Sequence, residues 1–327
     1  MNEVSVRIDG TDVTVAAGST LLDACGEAGV DTPTICYGPT LTPVNVCRVC
    51  VVELEGSRTL VPSCSREAEA GMVVLTDSER VRHSRKMVLE FLGSGVDLSQ
   101  ADGLERWITA YDADPLRYTD DGVEPLTMNE PVKVQDNLYI RDYDKCVLCY
   151  KCVEACGDDA QHTYAISVAG RGYGARISTE FDVALPDSAC VYCGNCVAVC
   201  PTNALQFKTE FDLRAAADWR PDDQQVTATV CSYCGVGCNL ELHVQDNRIV
   251  KVTSPDDHSV THGNLCIKGR FGYQYVHAVE DGSAGPAEDG SAGPAEDGSA
   301  GPAEDGSAGP AEDGSAGPAA PAIEDRR

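Results

Sequence analysis

The first apolar positions of the chain alternate. Val4, Val6 and Ile8, then Val13 and Val15, flank Asp9-Gly10, a period-two pattern around a turn dipeptide that predicts a β-hairpin over residues 3–15. Ser19-Thr20 then offers a cap for a short amphipathic helix over residues 21–28, stopped at Gly29. Residues 36–50 are punctuated by Gly and Pro and read as a loop; strands at 51–55 and 72–75 complete a small mixed sheet. From 78 to 117 the period changes. Val81, Met87, Val88, Phe91 and Leu92 recur at near-helical spacing, as in a helix packed between domains. Residues 118–137 form an acidic, proline-bearing linker. Two further regions of short elements follow, at about 137–208 and 225–276. Five tandem copies of Glu-Asp-Gly-Ser-Ala-Gly-Pro-Ala then run from Glu280 to Ala319. That composition cannot bury a core, and an eight-residue period is too short for a solenoid; it is expected to be a disordered acidic tail.

Composition narrows the partners. The 327 residues hold 52 Asp and Glu against 25 Lys and Arg, and only seven of those bases are lysines. No basic stripe is available for phosphate, so a nucleic-acid role is excluded. An acidic, lysine-poor surface stays hydrated in salt, as in proteins of salt-accumulating, halophilic cells. No apolar run approaches the ~20 residues that span a bilayer, and the first residues lack a signal-peptide pattern. The expected compartment is a reducing cytoplasm.

Cysteine changes the picture most. Sixteen of the 17 fall into four quartets: Cys36/Cys47/Cys50/Cys64, Cys146/Cys149/Cys152/Cys156, Cys190/Cys193/Cys196/Cys200 and Cys231/Cys234/Cys238/Cys266. Cys25, on the first helix, is left over and reads as a small buried apolar residue. Thiolates are soft ligands, and four on tight turns suit iron–sulfur clusters. Zinc is the alternative, but its modules space ligands as two close pairs, whereas the first quartet is one pair plus two singles. A disulfide scaffold is disfavoured by the Cys-x2-Cys steps.

The segments Thr20-Leu21-Leu22-Asp23-Ala24, Asp31-Thr32-Pro33-Thr34-Ile35-Cys36-Tyr37 and Cys47-Arg48-Val49-Cys50-Val51-Val52-Glu53 resemble the [2Fe–2S] domain shared by the complex I large subunit, iron-only hydrogenases and NAD-linked formate dehydrogenases. The second and third quartets, each Cys-x2-Cys-x2-Cys-x3-Cys, are similar to bacterial two-cluster ferredoxins. There the fourth Cys of each run serves the other cluster. The resemblance thus implies one set of Cys146, Cys149, Cys152 and Cys200, and another of Cys190, Cys193, Cys196 and Cys156. Position 157 is Gly where proline is usual. The fourth quartet, within Cys231-Ser232-Tyr233-Cys234-Gly235-Val236-Gly237-Cys238 and Gly263-Asn264-Leu265-Cys266-Ile267-Lys268-Gly269-Arg270-Phe271-Gly272, resembles the start of the molybdopterin oxidoreductase family. In that family a [4Fe–4S] cluster lies near a bis(guanylyl) molybdopterin, and the residue matching Lys268 bridges the two.

The order of domains resembles the catalytic (alpha) subunit of cytoplasmic formate dehydrogenases. It implies an α+β chain of tandem small iron–sulfur domains. These are a β-grasp [2Fe–2S] ferredoxin domain over 1–77, a helical segment and linker over 78–136, and a two-[4Fe–4S] ferredoxin-like domain over 137–210. The [4Fe–4S] start of a molybdopterin oxidoreductase domain follows over 224–276, then the disordered tail over 277–327. The implied cofactors are one [2Fe–2S] and three [4Fe–4S] clusters, with molybdopterin guanine dinucleotide only where another chain or a longer product completes the site. Two departures stand out. The stretch from Arg85 onward has no cysteine, so the His–Cys cluster many such subunits carry is missing, and His83 alone cannot hold one. The family's catalytic residues lie hundreds of positions beyond the fourth quartet, and no catalytic residue is nominated here. The implied role is to relay electrons from a molybdopterin site, on a separate catalytic chain or a longer product, to an NAD-linked (diaphorase-like) or ferredoxin partner subunit. The alternative is a free-standing polyferredoxin carrier. Direction of flow cannot be read from sequence.

Overall fold

A computed structural model describes residues 3–101, 103–118 and 127–280. The acidic repeats, and part of the expected linker, lie outside the described residues.

The hairpin expected at the start is present as β1 (Glu3–Ile8) and β2 (Thr11–Ala16), turning on Asp9-Gly10, both at positive φ. Its inward positions Val6, Ile8 and Val15 bury a common face. Helix α1 (Leu21–Glu27) starts at a capping box in which Thr20 and Asp23 satisfy each other's backbone N–H groups, a local device worth about 1 kcal/mol. Strands β3 (Val51–Leu54), β4 (Val61–Pro62) and β5 (Val73–Leu75) complete a sheet of order β2-β1-β5-β3-β4, with β1 and β5 parallel and the other pairs antiparallel. Leu21, Ala24 and Cys25 of α1 close its core against Val52 and Val74. Cys25 is fully buried there.

The helical stretch is two helices, α2 (Glu79–Gly95) and α3 (Leu104–Ala110). Ser78 caps α2 by accepting from the Val81 N–H. Leu89 and Leu104 pack into one apolar core with Ile35, Cys36, Val49 and Cys149. Buried Arg85 ties α2 to its neighbours, donating to the Val51 carbonyl at 3.0 Å and the Tyr111 hydroxyl at 2.5 Å.

Next come β6 (Tyr139–Arg141), α4 (Lys151–Cys156), the short hairpin β7 (Ser167–Ala169) and β8 (Arg176–Ser178), α5 (Asn195–Ala198), β9 (Leu205–Phe207) and α6 (Lys208–Ala215). β6 pairs antiparallel with β9, bringing the two ends of this region together. It docks on the first domain through Thr42, whose N–H and hydroxyl donate to Asp159 at 2.7 and 2.8 Å, and through the Lys145–Asp97 ion pair at 3.0 Å.

The last part is an antiparallel sheet of β10 (Gln225–Val230), β11 (Asn239–Gln245) and β12 (Arg248–Thr253), followed by α7 (Ile267–Phe271) and α8 (Gln274–Glu280). Residues of β10 are exposed along its whole length, while β11 and β12 bury Leu240 and Val252. Phe271 leaves this core and inserts into the preceding domain beside Tyr139 and Phe207.

Leu89→Ala removes a fully buried side chain from the core that joins α2 to Cys36 and Cys149. A loss of roughly 2–5 kcal/mol is expected, read as an earlier unfolding midpoint and faster amide exchange over α2.

Candidate metal centres

The strands and loops place the four cysteines of the first quartet by different means. Cys36 sits in the long loop after α1, Cys47 and Cys50 close that loop ahead of β3, and Cys64 follows β4. Asn45 and Arg48 adopt left-handed φ of 63° and 59°, which curls the loop back on itself. The thiols meet as two pairs. Cys36 pairs with Cys47 and Cys50 with Cys64, and each pair shares its protons unequally: the thiols of Cys36 and Cys50 are brought down to about 6 and those of Cys47 and Cys64 are raised, while Cys64 Sγ donates to Asn45 Oδ1 at 3.4 Å. Ser63 further holds this loop by donating to the Cys50 carbonyl at 2.8 Å.

In the second and third quartets each run folds the same way. Leu148 and Tyr150 have φ of 52° and 64°, and at the matching places in the other run Tyr192 and Gly194 have 56° and 71°. Left-handed backbone on every second residue curls the chain, so that Sγ atoms three residues apart face one volume. For non-glycine residues it costs about 1–2 kcal/mol each. One cavity is lined by Cys146, Cys149, Cys152 and Cys200, the other by Cys156, Cys190, Cys193 and Cys196. The fourth cysteine of each run thus lies at the other run's cavity. Apart from threonine and tyrosine the remaining walls carry no polar side chain: Val147, Ile177, Ala204 and Leu205 in one, Ala165, Ile166, Leu185 and Val191 in the other.

Burial raises the thiols of Cys146 and Cys149 to about 11 and about 12, and holds those of Cys152 and Cys196 well above the usual value. An apolar wall does not stabilise bare thiolates, so their protons leave only as a metal takes their place. Polar groups already touch the sulfurs: the Tyr139 hydroxyl is 3.0 Å from Cys190 Sγ, and the Leu205 N–H donates to Cys200 Sγ at 3.5 Å. Among the described residues, no three Cys, His, Asp or Glu side chains converge on a single point. The thiols surround volumes instead. Four soft donors around an apolar volume fit an iron–sulfur cluster and offer nothing to a hard, oxygen-seeking cation.

The fourth quartet is more open. Cys231 follows β10 and its N–H donates to the Cys238 carbonyl at 2.8 Å, extending the β10–β11 ladder. Cys234 lies in the turn between them and Cys266 caps the start of α7. Cys231 is buried, but Cys234 and Cys266 are exposed. Around them Tyr233, Val236 and Ile267 expose apolar surface, and Lys268 stands in solvent on α7. Sequence reasoning missed Arg270, two residues on. Its side chain is wholly buried and reaches into the preceding domain, donating to the Cys193 carbonyl at 3.0 Å and to Asn195 Oδ1 at 2.9 Å. The string Lys268-Gly269-Arg270-Phe271 held that signal only as a charged residue between Gly and Phe.

The fold and donor sets define a chain of tandem iron–sulfur domains. Residues 1–79 match the 2Fe-2S iron-sulfur cluster binding domain, 145–204 the 4Fe-4S dicluster domain, and 224–278 the molybdopterin oxidoreductase Fe4S4 domain. The chain therefore carries three tandem iron–sulfur domains, the last of them of the molybdopterin oxidoreductase Fe4S4 kind. It is similar to the NADPH-Fe(3+) oxidoreductase subunit alpha of Geobacter sulfurreducens, with 35% identity over 84% of this chain and 32% of the relative. It is also similar to an NADH-quinone oxidoreductase subunit of Rhizobium meliloti, with 32% identity over 84% of this chain and 32% of the relative. A Staphylococcus haemolyticus protein whose name assigns it provisionally as a formate dehydrogenase is 27% identical over 84% of this chain and 31% of its own length. The chain spans about a third of the length of these curated relatives. Among the described residues no helix is long and apolar enough to cross a membrane.

Exchange of the fourth cysteines has a direct test. Cys200→Ser is expected to alter the paramagnetic signal that Cys146→Ser alters, and Cys156→Ser the signal that Cys196→Ser alters, in low-temperature spectra of the reduced protein. Pairing within each run instead would overturn the assignment.

Proposed function

We propose that the chain is the electron-relay portion of a formate dehydrogenase alpha subunit working in the cytoplasm. In this reading Cys36, Cys47, Cys50 and Cys64 hold one [2Fe–2S] cluster. Three [4Fe–4S] clusters are held by Cys146, Cys149, Cys152 and Cys200, by Cys190, Cys193, Cys196 and Cys156, and by Cys231, Cys234, Cys238 and Cys266. Such clusters supply one-electron transfer and need no acid or base from the protein.

The observation that carries the reading is the asymmetry of exposure. Of the cysteines in the first three groups none is exposed, whereas Cys234 and Cys266 are, within an apolar rim of Tyr233, Val236 and Ile267 beside Lys268. A rim of that kind marks a surface meant to be covered. The relatives' extra length supplies an occupant: a catalytic polypeptide that binds molybdopterin guanine dinucleotide, with Lys268 reaching towards the pterin. A free-standing polyferredoxin would leave that rim in water, which disfavours the carrier reading. Formate as the substrate is supported by the order of the domains and by the Staphylococcus haemolyticus relative. The acceptor side falls to a partner subunit of diaphorase or ferredoxin type, since two relatives are named for NADPH- or NADH-linked reactions.

Anaerobically purified protein is expected to contain about fourteen irons per chain with equal acid-labile sulfide, from full occupancy of one two-iron and three four-iron sites. Formate should leave its visible absorbance unchanged when the chain is alone, and bleach it once a molybdopterin-bearing catalytic chain is added. Zinc without sulfide, or no bleaching by formate in the reconstituted pair, defeats the reading.

A further inference from the structure

Arg270 is a charged side chain in the interior, with a relative exposure of 0%. Its guanidinium is spent on four oxygens: Cys193 O at 3.0 Å from Nε, Val252 O at 3.3 Å from Nη1, and Asn195 Oδ1 at 2.9 Å and Gly263 O at 3.3 Å from Nη2. All four acceptors are uncharged. They satisfy its donors, and among the described residues no carboxylate pairs with its charge. A buried cation without a counter-charge is strongly disfavoured. Its backbone N–H donates to the Cys266 carbonyl at 3.0 Å while its side chain reaches the Cys193 carbonyl, so it lies between the cysteine-bearing segments of the third and fourth quartets.

The surroundings are shaped to receive it. Gly194, between Cys193 and Asn195, has φ +71°, and a Cβ there would fall 2.6 Å from Arg270 Cδ and 3.1 Å from Phe271 Cζ. Asn195 Oδ1 is shared, accepting from Arg270 and, at 3.0 Å, from the Leu265 N–H next to Cys266. One side chain therefore fixes the cysteine-bearing loop of the third quartet against the cysteine-bearing turn of the fourth.

We propose that Arg270 is a positioning residue that sets reduction potential: a fixed positive charge sealed between the third and fourth cluster sites, with the clusters as its counter-ions. The inference rests on the reading that both sites hold clusters. Four thiolates make each cluster anionic, and reduction by one electron makes it more so without forming or breaking a bond. A fixed cation favours the reduced member of each couple, so both potentials lie higher with the charge than without it. Arg suits this place better than Lys because its planar fork reaches acceptors on two domains and keeps its charge when buried.

Potentials of the iron-loaded full chain, measured by redox titration with paramagnetic-resonance detection and chemical mediators, test the proposal. Arg270→Gln is expected to lower the potentials of the two flanking clusters and leave the Cys36 cluster unchanged. Asn195→Asp is the decisive variant. It is isosteric, retains both hydrogen bonds, and places a carboxylate against the guanidinium, so the same two potentials should fall with iron content intact. Unshifted potentials in Asn195→Asp overturn the proposal, and so does loss of iron from it, since a carboxylate beside an uncompensated cation should stabilise this interior. Parent protein that lacks iron and sulfide would instead remove the cluster reading itself.

Discussion

Everything in this molecule depends on making four sulfurs face one small volume. A cysteine side chain is short, so the backbone has to do the turning. In the two matching runs it does so with left-handed residues at alternate positions, Leu148 and Tyr150 in one and Tyr192 and Gly194 in the other. Three of those four are not glycine, so the curl opposes the intrinsic preference of the chain. Small domains with little buried apolar area do not hold such conformations unaided. The burial of Cys152 and Cys196 among apolar walls adds a second cost, because their thiols resist ionisation until metal arrives. Both costs are offset by the same event, metal–thiolate bond formation, which makes folding and cluster loading one process.

That constraint also explains how the domains are joined. The core around Leu89 contains Cys36 of the first quartet and Cys149 of the second, so the first two sites share one set of packed side chains. The stretch where many resembling subunits carry a His–Cys cluster has no cysteines, as read from the sequence, and α2 runs through it as an uninterrupted helix of 17 residues. Its apolar face joins the neighbouring sites by packing. At the other end Phe271 enters the core around Tyr139 and Phe207 while Arg270 grips the loop of Cys193. Each junction thus packs against residues beside the quartet cysteines.

Much of this was legible in the sequence because it is local. The β1–β2 hairpin follows from alternating valines around Asp-Gly, and the start of α1 from Thr20 and Asp23 three residues apart. What was not legible depends on distant partners. Helix α6 buries Glu210, which pairs with Arg214 at 2.7 Å and lies 3.5 Å from Lys251 of β12. A helix that buries a carboxylate on its packed face leaves no apolar stripe to read. Strand β4 is two residues long and exists through its pairing with β3. Arg270 is the sharpest case. By composition alone an arginine beside Lys268 belongs in solvent, and only the neighbouring carbonyls of another domain reveal that it is interior.

The contrast between Lys268 and Arg270, two residues apart, bears on how the fourth site works. Lys268 and Arg270 leave α7 in different directions, one to the open rim and one to the sealed interior. Cys266 lies at the start of the same helix, so a single five-residue element presents a thiol, an exposed cation and a buried cation. Screening by salt acts on the exposed charge and hardly on the buried one. Long-range surface electrostatics weaken as salt rises, which makes them a poor means of setting a redox potential. A charge kept from solvent, with its hydrogen-bond donors satisfied by carbonyls, acts at a strength that the surrounding salt does not change.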